Sequence, residues 1–407
     1  MGTNLQDSNL SSLLKKYYAK DFYSGILFDN HPFFGMLAKE ATAGKAIVQP
    51  ITIGGAQNIS ATYADARGGN SKSINRDFTI PYKDLFASFV VDHKEAVAAK
   101  KKGDHAYVEA IAHEVGLAMK EFSRNHSLQL FRSSNGSKAN VASIVGNVIT
   151  LSNRYDIVNF GVGMQIIAAE LKDGAVKRDG GAAKIVKKIN TRLGSIELED
   201  AIVDLAVGDF LFAKGDAGNR FHGLMDWLPP AGQRANLNVP FLGVDRSEDE
   251  ASLAGIAVDG SAMSFEDALL SAESELQLYN SSPEVLFMNP KDWYRLSVSL
   301  SSKERIEKAC KGAGAMATHI GYTAFHVGST GVKIVVDAGC PQGYAFMLDM
   351  STWKLCHLGS SVINDWDEDS LTILRDGAGA VRGDMYTYGN LICTDPKNNC
   401  IITLPVG

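Results

Sequence analysis

Residues 104–132 read DHAYVEAIAHEVGLAMKEFSRNHSLQLFR, and the reading of this stretch decides how the rest of the chain is parsed. Tyr107, Ile111, Val115, Ala118 and Phe122 recur at helical spacing, and Val108 and Met119 widen the apolar stripe. Asp104 is a good N-cap. Ser133, Ser134, Asn135 and Gly136 stop the pattern, with Gly136 suited to a left-handed C-terminal position. The predicted helix is roughly 40 Å long, about the diameter of a small domain. A helix of that length acts as a beam, so the architecture depends on what hangs from each end.

Upstream, Lys45–Ile53 and Phe78–Val91 read as strands rich in β-branched and aromatic residues. Between them Gly54–Lys72 carries Gly54, Gly55, Gly68 and Gly69 with few large apolar residues, which predicts a long hairpin with a Gly-rich tip. A lone two-stranded hairpin is marginal in water. It either folds back on its own sheet, the commoner outcome, or another chain supports it. The tip lacks a Gly-Lys-Ser/Thr ending and no helix follows directly, so it does not read as a phosphate cradle. Residues 1–43 form an arm: Leu10, Leu13, Leu14, Tyr17 and Tyr18 predict a short amphipathic helix, and a second apolar group runs from Phe22 through Phe33 to Leu37. Dense aromatics fit either packing on the arm's own domain or packing on a neighbouring subunit.

Downstream, Val141–Val145, Val148–Leu151, Ala183–Ile189 and Ser195–Leu198 read as short strands, Val158–Leu171 as a helix, and residues 137–230 as a small β-rich subdomain. A polar connector, 231–262, leads to a second strong helix with Phe265, Leu269, Ala272, Leu276 and Tyr279 on one face, opened by a capping-box-like Ser264 and Asp267. Glu284–Met288 is an apolar strand, and Asn289-Pro290 starts another helix through Trp293, Leu296 and Leu300. Helix, buried strand and helix in close order imply a sheet covered by helices. Further strands are expected at Val332–Val336, Tyr344–Leu348, Thr352–His357 and Leu371–Leu374. The segment Tyr386–Leu404 reads as two strands joined at Asp395–Asn399. The fold class is α+β.

The net charge of -6 argues against a dedicated nucleic-acid binder, and Lys100, Lys101 and Lys102 read as solvated surface. Five cysteines without a Cys-x-x-Cys pair argue against a disulfide framework or zinc site and for a reducing compartment. No run of apolar residues reaches the length of a membrane span, and no signal-peptide pattern opens the chain. His113-Glu114 lacks the second histidine of a zinc-protease helix. Gly312-x-Gly314-x-x-Ala317 follows a charged helical segment where a dinucleotide fingerprint needs a strand. Asp365, Asp367 and Asp369 make a fragment of a calcium loop, but Ser370 stands where the turn needs Gly and Asp376 replaces the final Glu, so a solvated acidic loop is expected. No catalytic residue, cofactor site or metal site is expected. An α/β enzyme with a dispersed site, one option being around Asp365–Asp369, and a plain binding module with an arm remain the alternatives to the reading that follows.

The order of parts is arm, long hairpin with a Gly-rich tip, spine helix, β-rich segment, helix-and-sheet domain and closing strands. This order resembles the major capsid protein of tailed bacteriophages, the HK-ninety-seven-type fold. Three passages carry the resemblance: Ser282-Pro283-Glu284-Val285-Leu286-Phe287-Met288-Asn289-Pro290-Lys291-Asp292-Trp293; Gly208-Asp209 with Gly223-Leu224; and the tail from Tyr388-Gly389-Asn390 to Asn399-Cys400-Ile401. The resemblance implies an N-terminal arm over 1–43, an extended loop over 44–94 that lies on a neighbouring subunit, and a peripheral-domain spine helix in 95–136. It implies a peripheral or inserted subdomain over 137–230, an axial domain over 231–385, and return strands to the peripheral domain over 386–407. It further implies a homo-oligomer of hexamers and pentamers forming an icosahedral virion shell, assembled in the host cytoplasm and in diffuse contact with packaged double-stranded DNA. Scaffolding, portal and decoration proteins are the implied partners. The absence of a long helical N-terminal extension implies a separate scaffolding protein or a trimmed mature chain. Interface residues expected on this basis are Ile59, Tyr63, Arg67 and Lys72 in the loop and Phe22 and Phe33 in the arm. Some coats of the family cross-link a loop lysine to an asparagine. Lys72 with Asn398 or Asn399 is the conceivable pair here, but no acidic catalyst is evident and no cross-link is expected.

Overall fold

The computed structural model describes residues 31–55, 58–68, 72–92, 104–301, 326–327, 331–359, 362, 364–365, 374–375 and 380–405. In chain order the elements are α1 (Pro32–Met36), β1 (Ala38–Ala41), β2 (Ala46–Gly54), α2 (Tyr63–Gly68), β3 (Ile74–Pro81), β4 (Lys83–Asp92) and α3 (Asp104–Phe131). Then come β5 (Ser137–Val145), β6 (Val148–Leu151), β7 (Gln165–Ala169), β8 (Lys184–Asn190), β9 (Ser195–Leu198), β10 (Phe210–Ala213), α4 (Leu224–Trp227) and α5 (Glu250–Ala254). The remainder is β11 (Ile256–Asp259), α6 (Phe265–Leu278), β12 (Val285–Met288), α7 (Pro290–Ser301), β13 (His326–Val327), β14 (Val332–Val336) and β15 (Tyr344–Leu348). The chain closes with β16 (Trp353–His357), β17 (Asn364–Asp365), β18 (Leu374–Arg375), β19 (Ala380–Cys393) and β20 (Cys400–Thr403). The chain divides into two units, one of residues 1–47, 80–226 and 354–392, the other of 48–79, 227–353 and 393–407.

In the first unit the expected beam is α3. Its second half buries Met119, Phe122, Leu130 and Phe131. The helix ends one residue before Arg132, and Gly136 has the left-handed φ of +80° expected of it. A second glycine, Gly223, is held so close to this helix end that a Cβ would lie 2.2 Å from the Arg132 carbonyl oxygen. The unit's sheet has β1 parallel to β16, β16 beside β19, and β4 antiparallel to β19 from Lys83↔Gly389 to Asp92↔Ala380. The expected single strand Phe78–Val91 is therefore two strands broken between Pro81 and Lys83. Proline has no N–H to offer a ladder, and the strand stops there.

Residues 137–213 close on themselves as a six-stranded barrel, in the order β10-β5-β6-β9-β8-β7. Ile149, Ile166, Val186, Ile196, Leu198 and Leu211 fill it. The expected helix Val158–Leu171 is instead a 3-10 turn, Arg154–Asn159, followed by β7. Ile166 and Ala168 enter the barrel core, while Ile167 and Ala169 join a second cluster with Phe212. With both faces buried the strand has no polar alternation, so helix and strand look alike in sequence. Arg178 clamps the barrel mouth by donating from Nε and Nη2 to the two oxygens of buried Asp209, at 2.8 and 2.9 Å.

The second unit is built on a six-stranded mixed sheet in the order β11-β20-β15-β12-β14-β13. β12 is buried along its whole length, as its unbroken Val-Leu-Phe-Met predicts, and it pairs parallel with β14 and antiparallel with β15. Helices α6 and α7 contribute Leu269, Ala272, Leu276 and Leu296 to this core. Both expected caps are present: the Ser264 hydroxyl accepts from the Asp267 N–H, and Asn289 Oδ1 accepts from the Lys291 N–H. The last two strands differ from expectation. β19 belongs to the first unit's sheet, but β20 pairs with β11 and β15 in the second, so the tail does not end as a strand pair in one domain. Of the expected strand Leu371–Leu374, only Leu374 is described, at the start of the two-residue β18.

Candidate assembly surfaces

No functional cleft has to be invoked to explain the most exposed apolar residues, because they stand on a ribbon. β2 and β3 form a two-stranded sheet that joins no other sheet among the described residues. This departs from the expectation that the hairpin folds back onto its own sheet. Thr52 Oγ1 donates to Asn75 Oδ1 across the pair at 2.8 Å. Toward its base, Phe78 is fully buried, with ring centroids 5.3 Å from Trp227 and 6.2 Å from Phe241. The Thr79 N–H donates to the Leu242 carbonyl at 2.9 Å, and Arg76 Nε donates to Glu248 at 2.6 Å. The ribbon is thus anchored at one end and open at the other.

The open end holds α2, a six-residue helix with no buried residue. The sequence reading missed it because the flanking glycines dominate the stretch. The available signal was Thr62 with Asp65, which form a capping pair: the Thr62 hydroxyl donates to the Asp65 carboxylate and accepts from the Asp65 N–H. Helices this short do not hold in water by themselves, since helical stability in proteins comes mostly from packing an apolar face. Of the expected interface residues, Ile59 is 96% exposed and Tyr63 82% exposed, and Arg67 and Lys72 are also exposed. The structure therefore brings four of the six together on the ribbon. Phe33 is different: it is buried in the first unit, with its ring 4.9 Å from Phe131, so it is a core residue of the arm's own unit. Phe22 lies outside the described residues, as do Lys100–Lys102, Gly312–Ala317 and residues 366–373.

The buried polar clusters have packing explanations. Asp226 accepts from Ser133 Oγ, from the Ser134 N–H at 2.7 Å and from His222 Nδ1 at 3.0 Å. The carboxylate stands between serine and histidine, so the histidine is not placed to take the serine proton as a nucleophilic triad requires. Burial pushes the Asp226 pKa up, but the His222 hydrogen bond and charge and the two serine contacts outweigh it and hold the carboxyl below its ordinary value. Asn399, a conceivable cross-link partner, is buried and saturated. Its Oδ1 accepts from the Asp349 N–H and from Trp353 Nε1 at 3.0 and 2.8 Å, and its Nδ2 donates to Thr352 Oγ1 and the Asp395 carbonyl, both at 2.9 Å. It ties residues 349–353 to residues 395–399 within the second unit and presents no amide to a neighbour. Among the described residues, no three His, Cys, Asp or Glu side chains gather to hold a metal ion, and no helix is long and apolar enough to cross a membrane. Cys340, Cys356, Cys393 and Cys400 are all buried.

The architecture superposes on the cyanophage A-1(L) capsid asymmetric unit with a TM-score of 0.57, at 12% identity, over 93% of each chain. The fold is that of a tailed-phage major capsid protein. A more distant match to this capsid fold is the capsid of a native GTA particle, with a TM-score of 0.45 at 9% identity over 91% of this chain and 89% of that one. No protein-family model matches the sequence, and no curated protein matches it either.

Proposed function

We propose that the chain is a major capsid protein that self-assembles into the icosahedral shell around the double-stranded DNA genome of a tailed bacteriophage. The observation that carries this reading is the ribbon: paired strands that join no other sheet among the described residues, an unburied helix at the tip and exposed Ile59 and Tyr63. Such a feature is stabilised when it adds its backbone and apolar side chains to another surface. On this reading 44–94 is the extended loop lying on a neighbouring copy, with Ile59, Tyr63, Arg67 and Lys72 in the contact. The long helix is the spine of the peripheral domain, and the second unit's mixed sheet is the core of the axial domain near the symmetry axes of hexamers and pentamers. Heterologous contacts of this type close into rings and shells. Obligate interfaces bury on the order of 2,000 Å² or more, so many modest contacts sum to a stable wall. With a net charge of -6 the chain holds DNA by confinement and diffuse charge, without sequence readout. Scaffolding, portal and decoration proteins are the partners such a shell takes, the virion is its location, and assembly takes place in the host cytoplasm. The likeness to solved capsids supports a structural role in preference to an enzymatic one.

The test is deletion of residues 56–70 in the full chain. The expected product is soluble and folded, gives a cooperative melt, and forms no closed shells by electron microscopy. Normal shells from this deletion would end the extended-loop assignment.

A further inference from the structure

The barrel has two unlike ends, and neither is accounted for by the ribbon contact. β9 is only four residues long and separates them, a span of roughly 13 Å. At one end the β8–β9 turn meets the segment after β6: the Leu151 N–H donates to the Gly194 carbonyl, and Gly194 packs against the Arg154 backbone. This end presents Leu193, 58% exposed, together with exposed Arg154 and Arg192. At the other end the β5–β6 turn meets the β9–β10 loop: the Leu198 N–H donates to the Asn147 carbonyl, and Asn147 Nδ2 donates back to the Leu198 carbonyl at 2.6 Å. This end presents Val203, 56% exposed, with exposed Glu199, Asp200 and Asp204. Among the described residues Arg192, Glu199 and Asp200 make no ion pair. Ile202, beside Val203, is tucked into the barrel core, so the loop that displays Val203 is fastened down.

We propose that the barrel forms a second contact between copies of this chain. The basic end, Leu193 with Arg154 and Arg192, seats on the acidic end, Val203 among Glu199, Asp200 and Asp204, of another copy's barrel. Each end has an aliphatic centre and a charged rim, the layout of small protein interfaces. The signs select the occupant. Like ends repel, so the contact is head-to-tail and not two-fold, and opposite ends attract and fix the register. Nucleic acid does not fit the acidic end. A contact of this heterologous kind propagates from copy to copy. The proposal rests on the shell-forming reading only in that it needs many copies at high local concentration.

The experiment uses the full chain carrying Leu193→Cys and, separately, Val203→Cys, oxidised alone and as a mixture at assembly concentration, with particles imaged in parallel. The four described native cysteines are buried, and the unsubstituted chain run beside them sets the background. A disulfide-linked dimer is expected in the mixture and not in either variant alone. Its yield is expected to fall about tenfold with Arg154→Glu and Arg192→Glu in the Leu193→Cys chain, and to recover when the Val203→Cys chain carries Glu199→Arg and Asp200→Arg. Raising the salt lowers the yield, because the Debye length shrinks from about 10 Å at 0.1 M to about 3 Å at 1 M. A mixture that cross-links no better than its components, or a Leu193→Cys chain that cross-links to itself, overturns the proposal. Closed shells without the cross-link remove this contact and leave the shell reading intact. The cross-link without closed shells does the reverse.

Discussion

The barrel and the ribbon are both β structure, and they treat their edges in opposite ways. The barrel's strands are as short as four residues, yet closure leaves no unpaired edge and Ile196 and Leu211 are wholly buried. The ribbon's strands are nine and eight residues long, about twice the length of the shortest barrel strands, yet they join no further strand among the described residues, and the short helix Tyr63–Gly68 has no buried residue. Strand length therefore says little about self-sufficiency, while closure says a great deal. One element is finished within its own chain. The other pairs with no further strand of its own chain among the described residues.

The comparison can be broken in four ways. The largest effect is the loss of all closed shells on deleting residues 56–70, with the melting temperature essentially kept; a large drop in that temperature would mean the ribbon supports its own chain. Next is acid. His126 is buried among Phe34, Phe122 and Phe221, and burial, then the nearby charges of Arg220, His31 and Lys39, lower its pKa to about 3 from 6.5. Between those values the folded state binds fewer protons than the unfolded one. Stability is thus fully present above pH 6.5 and falls as pH drops toward 3, by about 1.4 kcal/mol per pH unit at most. Urea titrations at pH 7 and pH 4 measure the difference, and His126→Phe is expected to shrink it. Third, Ile196→Ala in the barrel core is expected to cost about 2–5 kcal/mol by denaturant unfolding. Smallest in stability is Ile59→Ala on the ribbon, expected to stay within about 0.5 kcal/mol of the parent while the assembled fraction falls. Equal stability costs for Ile196→Ala and Ile59→Ala would erase the distinction.

Elements with a strong local code were legible in the sequence. The long helix has a clean apolar stripe, Gly136 marks its end, and Ser264 and Asn289 mark two helix starts. The β7 segment was not legible, because Ile166 and Ile167 are buried on opposite faces and mimic a helical run. The break between β3 and β4 could be read only by trusting Pro81 over a continuous apolar pattern. Closure of the barrel and the separate homes of β19 and β20 depend on pairings between distant residues, which no local pattern encodes. For the proposed assembly surface, the loop residues Ile59, Tyr63, Arg67 and Lys72 stood out as apolar or charged groups in a Gly-rich stretch. Phe33 did not separate from them, because an aromatic reads the same in a core and in an interface.

The barrel also enters and leaves the chain through a narrow doorway. Ser137 and Phe212 are partners on adjacent strands, so the first and last residues of a segment of more than seventy lie about 5 Å apart. A stretch tethered at two touching points behaves as a cassette. It can be exchanged for any domain whose termini meet, and a container built from such chains would display that passenger once per subunit.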